Sequence, residues 1–223
     1  CHRSINMTKK VYIIFDIGKT NKKYFLFDEN LSIVEQYIFK FEEIVDDDGY
    51  PCDDIIAISE WVRSSVTKVL ANDLYQVLGL NFSTYGASLV NIDAMGEIVT
   101  PFYNYLKPLY ENISKTFFKK HGPRLDIEIS TGSPSNDCLL NSGMQLFWLK
   151  AEKPRLFEEI RYSLHFPQFL SYLFTSKVCA EYTSIGCHTA LWDYTHNQYH
   201  KWIKTEGINH LLPTIEASSK NFL

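Results

Sequence analysis

The chain opens with three apolar runs separated by short polar turns. Residues 11–15 are uninterrupted and bounded by Lys10 and Asp16, which predicts a strand buried on both faces. Residues 24–27 and residues 33–39 predict a second and a third strand. The opening is therefore predicted to be a meander whose first hairpin tip is rich in hydrogen-bond donors.

Apolar residues then recur at spacings of three and four over residues 53–78, which predicts a long helix that ends at Gly79. Residues 80–84 predict a short strand, and residues 89–92 and 98–99 flank a turn and predict a second hairpin. The apolar positions of the predicted helix are Ile55, Ile56, Trp61, Val62, Val66, Val69, Leu70, Leu74 and Val77.

Beyond Pro101 the pattern is mainly helical. The break at Gly122 and Pro123 ends the first of these helices. Helices are predicted over residues 106–120, 144–150, 168–175 and 199–204. Since no internal repeat or low-complexity linker separates the parts, the prediction is one α/β domain with a helical second half.

Composition narrows the function classes. The 223 residues are 45% hydrophobic and 15% aromatic, which is typical of a globular protein with a core. The formal net charge of −4 favours no nucleic-acid partner, and the absence of a run of about 18 apolar residues predicts no membrane span. Five scattered cysteines without a secretory signal predict reduced thiols and a cytoplasmic location.

Two short segments are set apart from the fold prediction. Residues 1–6 precede Met7, which looks like a natural start, and they are expected to be a non-native or disordered leader. Asp46, Asp47 and Asp48 form an acidic run that is expected to be a solvated loop, with a metal site as the alternative.

The most informative polar segment begins at Asp16, where the first strand is predicted to end. A carboxylate at the end of a buried strand is costly unless something binds it, and Asp16 could hold Mg²⁺ through water. Gly18 has no Cβ, so a polyphosphate can approach the backbone closely, and a positive φ is permitted. These two residues predict one side of a phosphate site.

The rest of the hairpin tip supplies donors and charge. Thr20 and Asn21 offer neutral donors beside backbone N–H groups, and Lys19 or Lys23 offers positive charge. Such a turn can stabilise phosphoryl transfer by positioning and electrostatics. The same residues also suit an ordinary polar hairpin, so the segment by itself leaves both interpretations open.

These features resemble the FGGY family of carbohydrate kinases, whose first hairpin carries an Asp-x-Gly-Thr-Ser/Thr-x-x-Lys-like signature. Asp16, Gly18, Thr20 or Asn21, and Lys23 stand at the matching positions, whereas Lys19 departs from the small or hydroxylated residue usual there. Further matches follow in the family's order at residues 83–90, Gly96, Pro101 and residues 102–105, 131–132, 143–150, 166–175 and 181–184.

The resemblance implies an actin-like ATPase (ribonuclease H-like) α/β fold, a mixed sheet flanked by helices, over residues 7–223. It implies ATP and Mg²⁺ as cofactors and a small sugar as substrate. The Glu181 segment is most similar to those of rhamnulokinases and fuculokinases, and xylulokinases are close to these. The implied site comprises Asp16 for the metal, Gly18, Lys19, Thr20, Asn21 and Lys23 for phosphate, and Thr84, Tyr85, Asn104, Tyr105 and Glu181 for the sugar.

The resemblance also implies a C-terminal nucleotide-binding domain, for which residues 1–223 carry no Gly-Gly-x-Asp segment. The catalytic base is expected there, so no catalytic residue is assigned in this chain, which is expected to be inactive by itself. The alternative is an actin-like binding or regulatory module without turnover. A homodimer is left open. Glu181 also suits a purely structural carboxylate, and Tyr85 and Tyr105 suit packed aromatics.

Overall fold

The structure is a computed structural model that describes residues 8–220, so the predicted leader at residues 1–6 lies outside the described part. The chain forms two compact units. The first contains the described residues up to Glu42 together with Asp54–Tyr85. The second contains Glu43–Asp53 together with the described residues from Gly86 onwards.

Twelve strands and eight α-helices lie within residues 8–220. The strands are β1 (Lys9–Ile17), β2 (Lys22–Phe27), β3 (Ile33–Phe39), β4 (Ile44–Val45), β5 (Pro51–Cys52), β6 (Tyr75–Thr84), β7 (Leu89–Ile92), β8 (Tyr162–His165), β9 (Cys179–Glu181), β10 (Trp192–Asp193), β11 (Gln198–Tyr199) and β12 (Thr214–Glu216). The helices are α1 (Ile55–Leu70), α2 (Glu111–His121), α3 (Arg124–Thr131), α4 (Ser142–Glu152), α5 (Pro154–Glu159), α6 (Phe166–Thr175), α7 (Tyr182–Gly186) and α8 (Lys201–Thr205), and a 3₁₀ turn spans Asn209–Leu211.

The first unit is built on one four-stranded sheet with the order β3-β2-β1-β6. β1 pairs antiparallel with β2 and parallel with β6, so the sheet is mixed. At one edge of the sheet Ile17 lies opposite both Lys22 and Thr84. The register therefore brings the first hairpin and the end of β6 together.

Helix α1 covers one face of this sheet. Val11, Ile13 and Phe15 are fully buried on that face, and the Trp61 ring packs edge-on against Phe15 at 5.3 Å between centroids. On the opposite face Tyr12 is 36% exposed. The prediction that the first strand is buried on both faces is therefore wrong for the part of the chain described here, because the helix packs on only one of them.

The predicted helix over residues 53–78 is also too long. It begins after Asp54, whose carboxylate caps the N–H groups of Ile56 and Ala57, and it ends at Leu70. A turn follows in which Asn72 accepts a hydrogen bond from the Leu74 amide at 3.0 Å. Residues 75–84 then join the sheet as β6, so the predicted strand over residues 80–84 is confirmed and extended.

Gly79 was expected to end the helix, but it lies inside β6 opposite Tyr12. A Cβ added there would lie 3.3 Å from Cδ1 of Tyr12. Because Gly79 has no side chain, the backbone of β6 can lie close to the Tyr12 ring of the neighbouring strand β1.

The second hairpin forms as predicted. The Asp93 carboxylate accepts hydrogen bonds from the amides of Met95 and Glu97, and Gly96 takes a φ of 86°. Ile92 and Ile98 form a bridge across the turn. β7 in turn pairs antiparallel with β8, which places this hairpin in the second unit.

The second unit is mainly helical and has its core around Phe117. The rings of Phe147 and Trp202 meet Phe117 edge-on, each at 5.1 Å. The predicted helices over residues 144–150 and 168–175 are confirmed as parts of α4 and α6. The other two predicted helices begin later than expected, at Glu111 and Lys201, and α3, α5 and α7 were not predicted.

No helix among residues 8–220 has both the length and the apolar character needed to cross a membrane.

Candidate functional site

Asp16 lies near the C-terminal end of β1, where the sequence placed a metal-binding carboxylate. Its side chain is 50% exposed, and Oδ2 lies 3.8 Å from the Nζ of Lys23, its cross-strand neighbour in β2. The carboxylate is therefore open to solvent on one side and flanked by positive charge on another. Such a group can accept hydrogen bonds from the water shell of a Mg²⁺ ion.

The turn after β1 consists of residues 18–21. It is closed by a hydrogen bond from the Gly18 amide to the Asn21 carbonyl at 3.0 Å. Gly18 does not use a positive φ, and an added Cβ would lie 3.4 Å from the Asn21 oxygen. Its lack of a side chain therefore matters for what can approach the backbone and not for the turn conformation.

Thr20 and Asn21 supply two neighbouring backbone donors in this turn. Thr20 is exposed and Asn21 is half-buried. Within residues 8–220, neither of their backbone N–H groups donates a hydrogen bond to a protein acceptor. Two neighbouring amides in an exposed turn, beside the charge of Lys23, suit the oxygen atoms of a phosphate group.

Lys22, the first residue of β2, contacts this turn and was missed by the sequence analysis. It is only 1% exposed, and its Nζ donates a hydrogen bond to the carbonyl of Lys19 at 2.8 Å. It alternates along β2 with the buried residues Tyr24 and Leu26. That alternation was the signal that could have identified it, because residues two apart share one face of a strand.

Thr84 and Tyr85 belong to the same edge of the first unit. Thr84 pairs with Ile17, and its hydroxyl donates to the Tyr85 carbonyl at 2.8 Å. The neighbouring pair in the register is Asp16 with Ser83. The first unit thus gathers at one edge eight of the residues assigned from the resemblance. They are Asp16, Gly18, Lys19, Thr20, Asn21, Lys23, Thr84 and Tyr85.

Asn104 and Tyr105 lie in the second unit. Asn104 is buried, its Nδ2 donates to the Pro51 carbonyl at 3.0 Å, and its Oδ1 accepts from the Leu106 amide at 3.0 Å. Both ends of this side-chain amide thus bind backbone groups. Tyr105 is half-buried.

Glu181 caps helix α7. One carboxylate oxygen accepts from the amide of Thr183 at 2.8 Å and from its hydroxyl at 2.6 Å, and the other accepts from the Ser184 amide. The Ser184 hydroxyl donates onwards to Gln168 at 3.2 Å. This geometry fits the structural alternative for Glu181.

The acidic run lies in the turn between β4 and β5, but it is only in part the solvated loop that was expected, because Asp47 and Asp48 are exposed whereas Asp46 is buried. The Asp46 side chain is fully buried, and Lys107 donates to it at 2.6 Å and to Asp48 at 2.5 Å. Lys153 donates to Asp47 at 2.7 Å and to Asp48 at 2.6 Å. Carboxylate oxygens of the three residues lie within 4.8 Å of one another, and the ammonium groups of Lys107 and Lys153 offset part of their negative charge.

Burial and neighbouring charges shift the pKa in opposite directions at Asp48 and in the same direction at Tyr103. Burial opposes ionisation of Asp48, yet the hydrogen bonds from Lys107 and Lys153 lower its pKa below the usual range. Burial and the hydrogen bond to Asp47 raise the pKa of Tyr103 far above its ordinary value. Tyr103 therefore serves as a neutral donor to Asp47, at 2.9 Å.

Comparison with known proteins gives one family match. A family described as the FGGY family of carbohydrate kinases, N-terminal domain, matches residues 11–222.

Two curated relatives named rhamnulokinase are similar to this chain. The protein of Halalkalibacterium halodurans is 25% identical over 189 residues, and that of Oceanobacillus iheyensis is 26% identical over 188 residues. Each alignment covers 80% of this chain but 39% of the relative. The chain thus spans about two fifths of the length of these relatives.

Solved structures share the fold. A carbohydrate kinase from Novosphingobium aromaticivorans superposes with a TM-score of 0.79 at 23% identity, over 92% of this chain and 42% of that one. The Plasmodium falciparum glycerol kinase with ADP gives a TM-score of 0.77 at 22% identity, over 96% and 44% of the two chains. The predicted actin-like α/β fold is thereby confirmed.

Proposed function

Because the chain belongs to the FGGY family of carbohydrate kinases, we propose that it supplies the N-terminal domain of an ATP-dependent sugar kinase. The complete enzyme transfers the γ-phosphoryl group of ATP to a hydroxyl of a sugar or deoxy-sugar. A C-terminal domain contributes the nucleotide pocket and the base that takes the proton from the sugar hydroxyl. The chain alone is inactive in this proposal.

The observation that carries the proposal is the edge of the first sheet where Asp16 meets the turn of residues 18–21. Its carboxylate is half-exposed and lies 3.8 Å from the Lys23 ammonium group. The turn adds the backbone amides of Thr20 and Asn21, which donate to no acceptor within residues 8–220. A carboxylate for a hydrated cation next to amide donors for phosphate oxygens is what phosphoryl transfer requires.

Mg²⁺ and ATP fit this donor set. Asp16 would hold the ion through its water shell, Gly18, Thr20 and Asn21 would receive phosphate oxygens, and Lys19 and Lys23 would supply charge. When bound, Mg²⁺ offsets the negative charge that builds up on the phosphate oxygens.

Residues proposed for the sugar are considered within each unit separately. In the first unit Tyr85 would offer an aromatic face and Thr84 a hydroxyl oxygen as acceptor. In the second unit we propose Tyr105 for a second aromatic face, whereas Asn104 and Glu181 act by fixing backbone segments. The name of the two curated relatives makes rhamnulose the first sugar to test.

The test uses the full-length enzyme and a panel of ketoses, deoxyketoses and polyols. We expect ATP-dependent phosphorylation of at least one sugar, and we expect Asp16→Asn to lower kcat/KM by about 100-fold or more, since it removes the metal-facing charge. Glu29→Gln is the matched control, because Glu29 is an exposed carboxylate that pairs with Lys10 in the same unit. An unchanged rate in Asp16→Asn would remove Asp16 from the mechanism.

A binding or regulatory module without turnover is the second candidate. It is favoured by Lys19, which stands where the resemblance leads one to expect a small or hydroxylated residue. Nucleotide binding without phosphorylation of any sugar in the panel would support this alternative.

A further inference from the structure

We propose that Lys22 is a positioning residue that holds the Lys19–Thr20 peptide so that the Thr20 amide faces the phosphate. The inference rests on the proposed function and adds a residue to it. Lys22 lies one position before Lys23, the lysine that the sequence analysis matched to the family signature.

The first step is the burial of the Lys22 ammonium group. Lys22 is 1% exposed and lies on the same face of β2 as Tyr24 and Leu26. A buried ammonium group is costly unless it donates hydrogen bonds, and the Lys19 carbonyl is among its acceptors, at 2.8 Å. The carbonyl is thereby held towards the buried face of the strand.

The second step follows from peptide geometry. In a planar trans peptide the C=O and the following N–H point in opposite directions. Since the Lys19 carbonyl turns towards the buried Lys22, the Thr20 N–H turns away from it. Thr20 is exposed, and within the described chain its N–H has no protein acceptor.

The third step concerns preorganisation. Without Lys22, the three peptide units between Gly18 and Asn21 would be held, among the described residues, by the backbone hydrogen bond from the Gly18 amide to the Asn21 carbonyl. The hydrogen bond from Lys22 fixes one of these peptides before a ligand arrives. An amide fixed in advance binds an anion without a cost of reorientation.

The first experiment is on the wild-type full-length enzyme and does not depend on any variant folding. The backbone amide of Thr20 is followed by ¹⁵N–¹H NMR while a non-hydrolysable ATP analogue with Mg²⁺ is added. We expect a downfield shift of this amide on saturation. Binding of the analogue without a shift of the Thr20 amide would overturn the inference and leave the proposed function intact, whereas absence of binding would contradict both.

The second experiment compares Lys22→Met and Lys22→Gln by calorimetry with the same analogue. Lys22→Met removes the donor at similar length, so we expect the Kd of the analogue to rise by about tenfold or more, since a hydrogen bond to a charged group is lost. Lys22→Gln keeps a donor without the charge and should recover part of the affinity. The Kd of the sugar in the absence of nucleotide should change by less than about twofold.

Lys10→Met is the matched control, because Lys10 is an exposed lysine of the same sheet that pairs with Glu29 at 3.3 Å. It should bind the analogue as the wild type does. A folded Lys22→Met variant with wild-type affinity and a wild-type shift of the Thr20 amide would show that Lys22 has only a structural role.

Discussion

At the scale of single residues, His165 shows how a buried imidazole limits stability in acid. It is 1% exposed, and its Nε2 lies 2.7 Å from the Ser142 hydroxyl. Its Nδ1 has no partner among the described residues. Burial lowers the pKa of His165 to about 4, so the folded protein keeps this ring neutral at pH 7.

We expect the free energy of unfolding to fall as the pH drops from about 6.5 towards 4. In that interval the unfolded chain binds a proton at His165 that the folded chain does not, so the contribution of this group is complete above pH 6.5 and is lost below it. By pH 4.5 the loss from this one group is about 2–3 kcal/mol. Burial also lowers the pKa values of His121 and His200, which act in the same direction.

Urea titrations at several pH values test this, with His165→Phe as the variant and His210→Gln as an exposed control. His165→Phe should be less stable at pH 7 and show a shallower fall towards pH 4.5. A fall as steep as that of the wild type would show that other groups cause the acid sensitivity.

The residue scale also shows what the sequence could and could not reveal about the site. Asp16, Gly18, Thr20 and Lys23 were identified because the motif lies within one hairpin and its chemistry is local. Lys22 was missed because only Lys19 and Lys23 were considered as the charged residues of the hairpin, although the alternation of Lys22 with buried neighbours places it on the inner face.

At the scale of elements, helix α4 depends on a close backbone contact at its first turn. The Gly143 amide donates to the Thr189 carbonyl at 2.8 Å. A Cβ on Gly143 would lie 2.8 Å from that oxygen and 2.9 Å from the Trp202 ring. Neither a carbonyl oxygen nor a buried indole can move aside easily.

Gly143→Ala should therefore destabilise the protein by about 2 kcal/mol or more, although alanine is the better helix former. Gly86→Ala is the control, because nothing lies within 4 Å of the added methyl group. Thermal unfolding of both variants gives the comparison. Equal melting temperatures for the two would mean that the α4 contact relaxes without cost.

Elements were predicted well where one period of hydrophobicity dominates. β3 was predicted with its observed bounds, and β1 and β2 were each placed within two residues at every end. The first helix was predicted too long because Leu74 fits helical spacing. In the structure the chain turns at Asn72 and then pairs with β1 as the parallel strand β6. α5 and α7 span only six and five residues, too few for a helical period to be seen.

At the scale of the whole molecule, the network around Lys107 binds residues 43–53 to the rest of the second unit. This lysine is 6% exposed, donates to Asp46 and Asp48, and lies 4.9 Å from the centre of the Tyr103 ring. The sequence could not predict the network, because its lysines lie about 60 and 105 positions beyond Asp48.

Lys107→Met should cost about 3–5 kcal/mol, since it leaves the Asp46 carboxylate buried without its partner. Adding Asp46→Asn should cost less than the sum of the two single changes. Lys115→Met is the control, because Lys115 and Glu111 form an exposed pair that water screens, so its loss should leave the stability almost unchanged. Additive single changes in the double-mutant cycle would contradict a coupled network.

The path of the chain between the two units has a practical consequence. It passes from one unit to the other three times, after Glu42, Asp53 and Tyr85. After a single cut at any one of these places, at least one unit still contains residues from both fragments. One cleavage therefore cannot release either unit by itself. Dissecting this protein into its units would require two new linkers, one joining Glu42 to Asp54 and one joining Asp53 to Gly86.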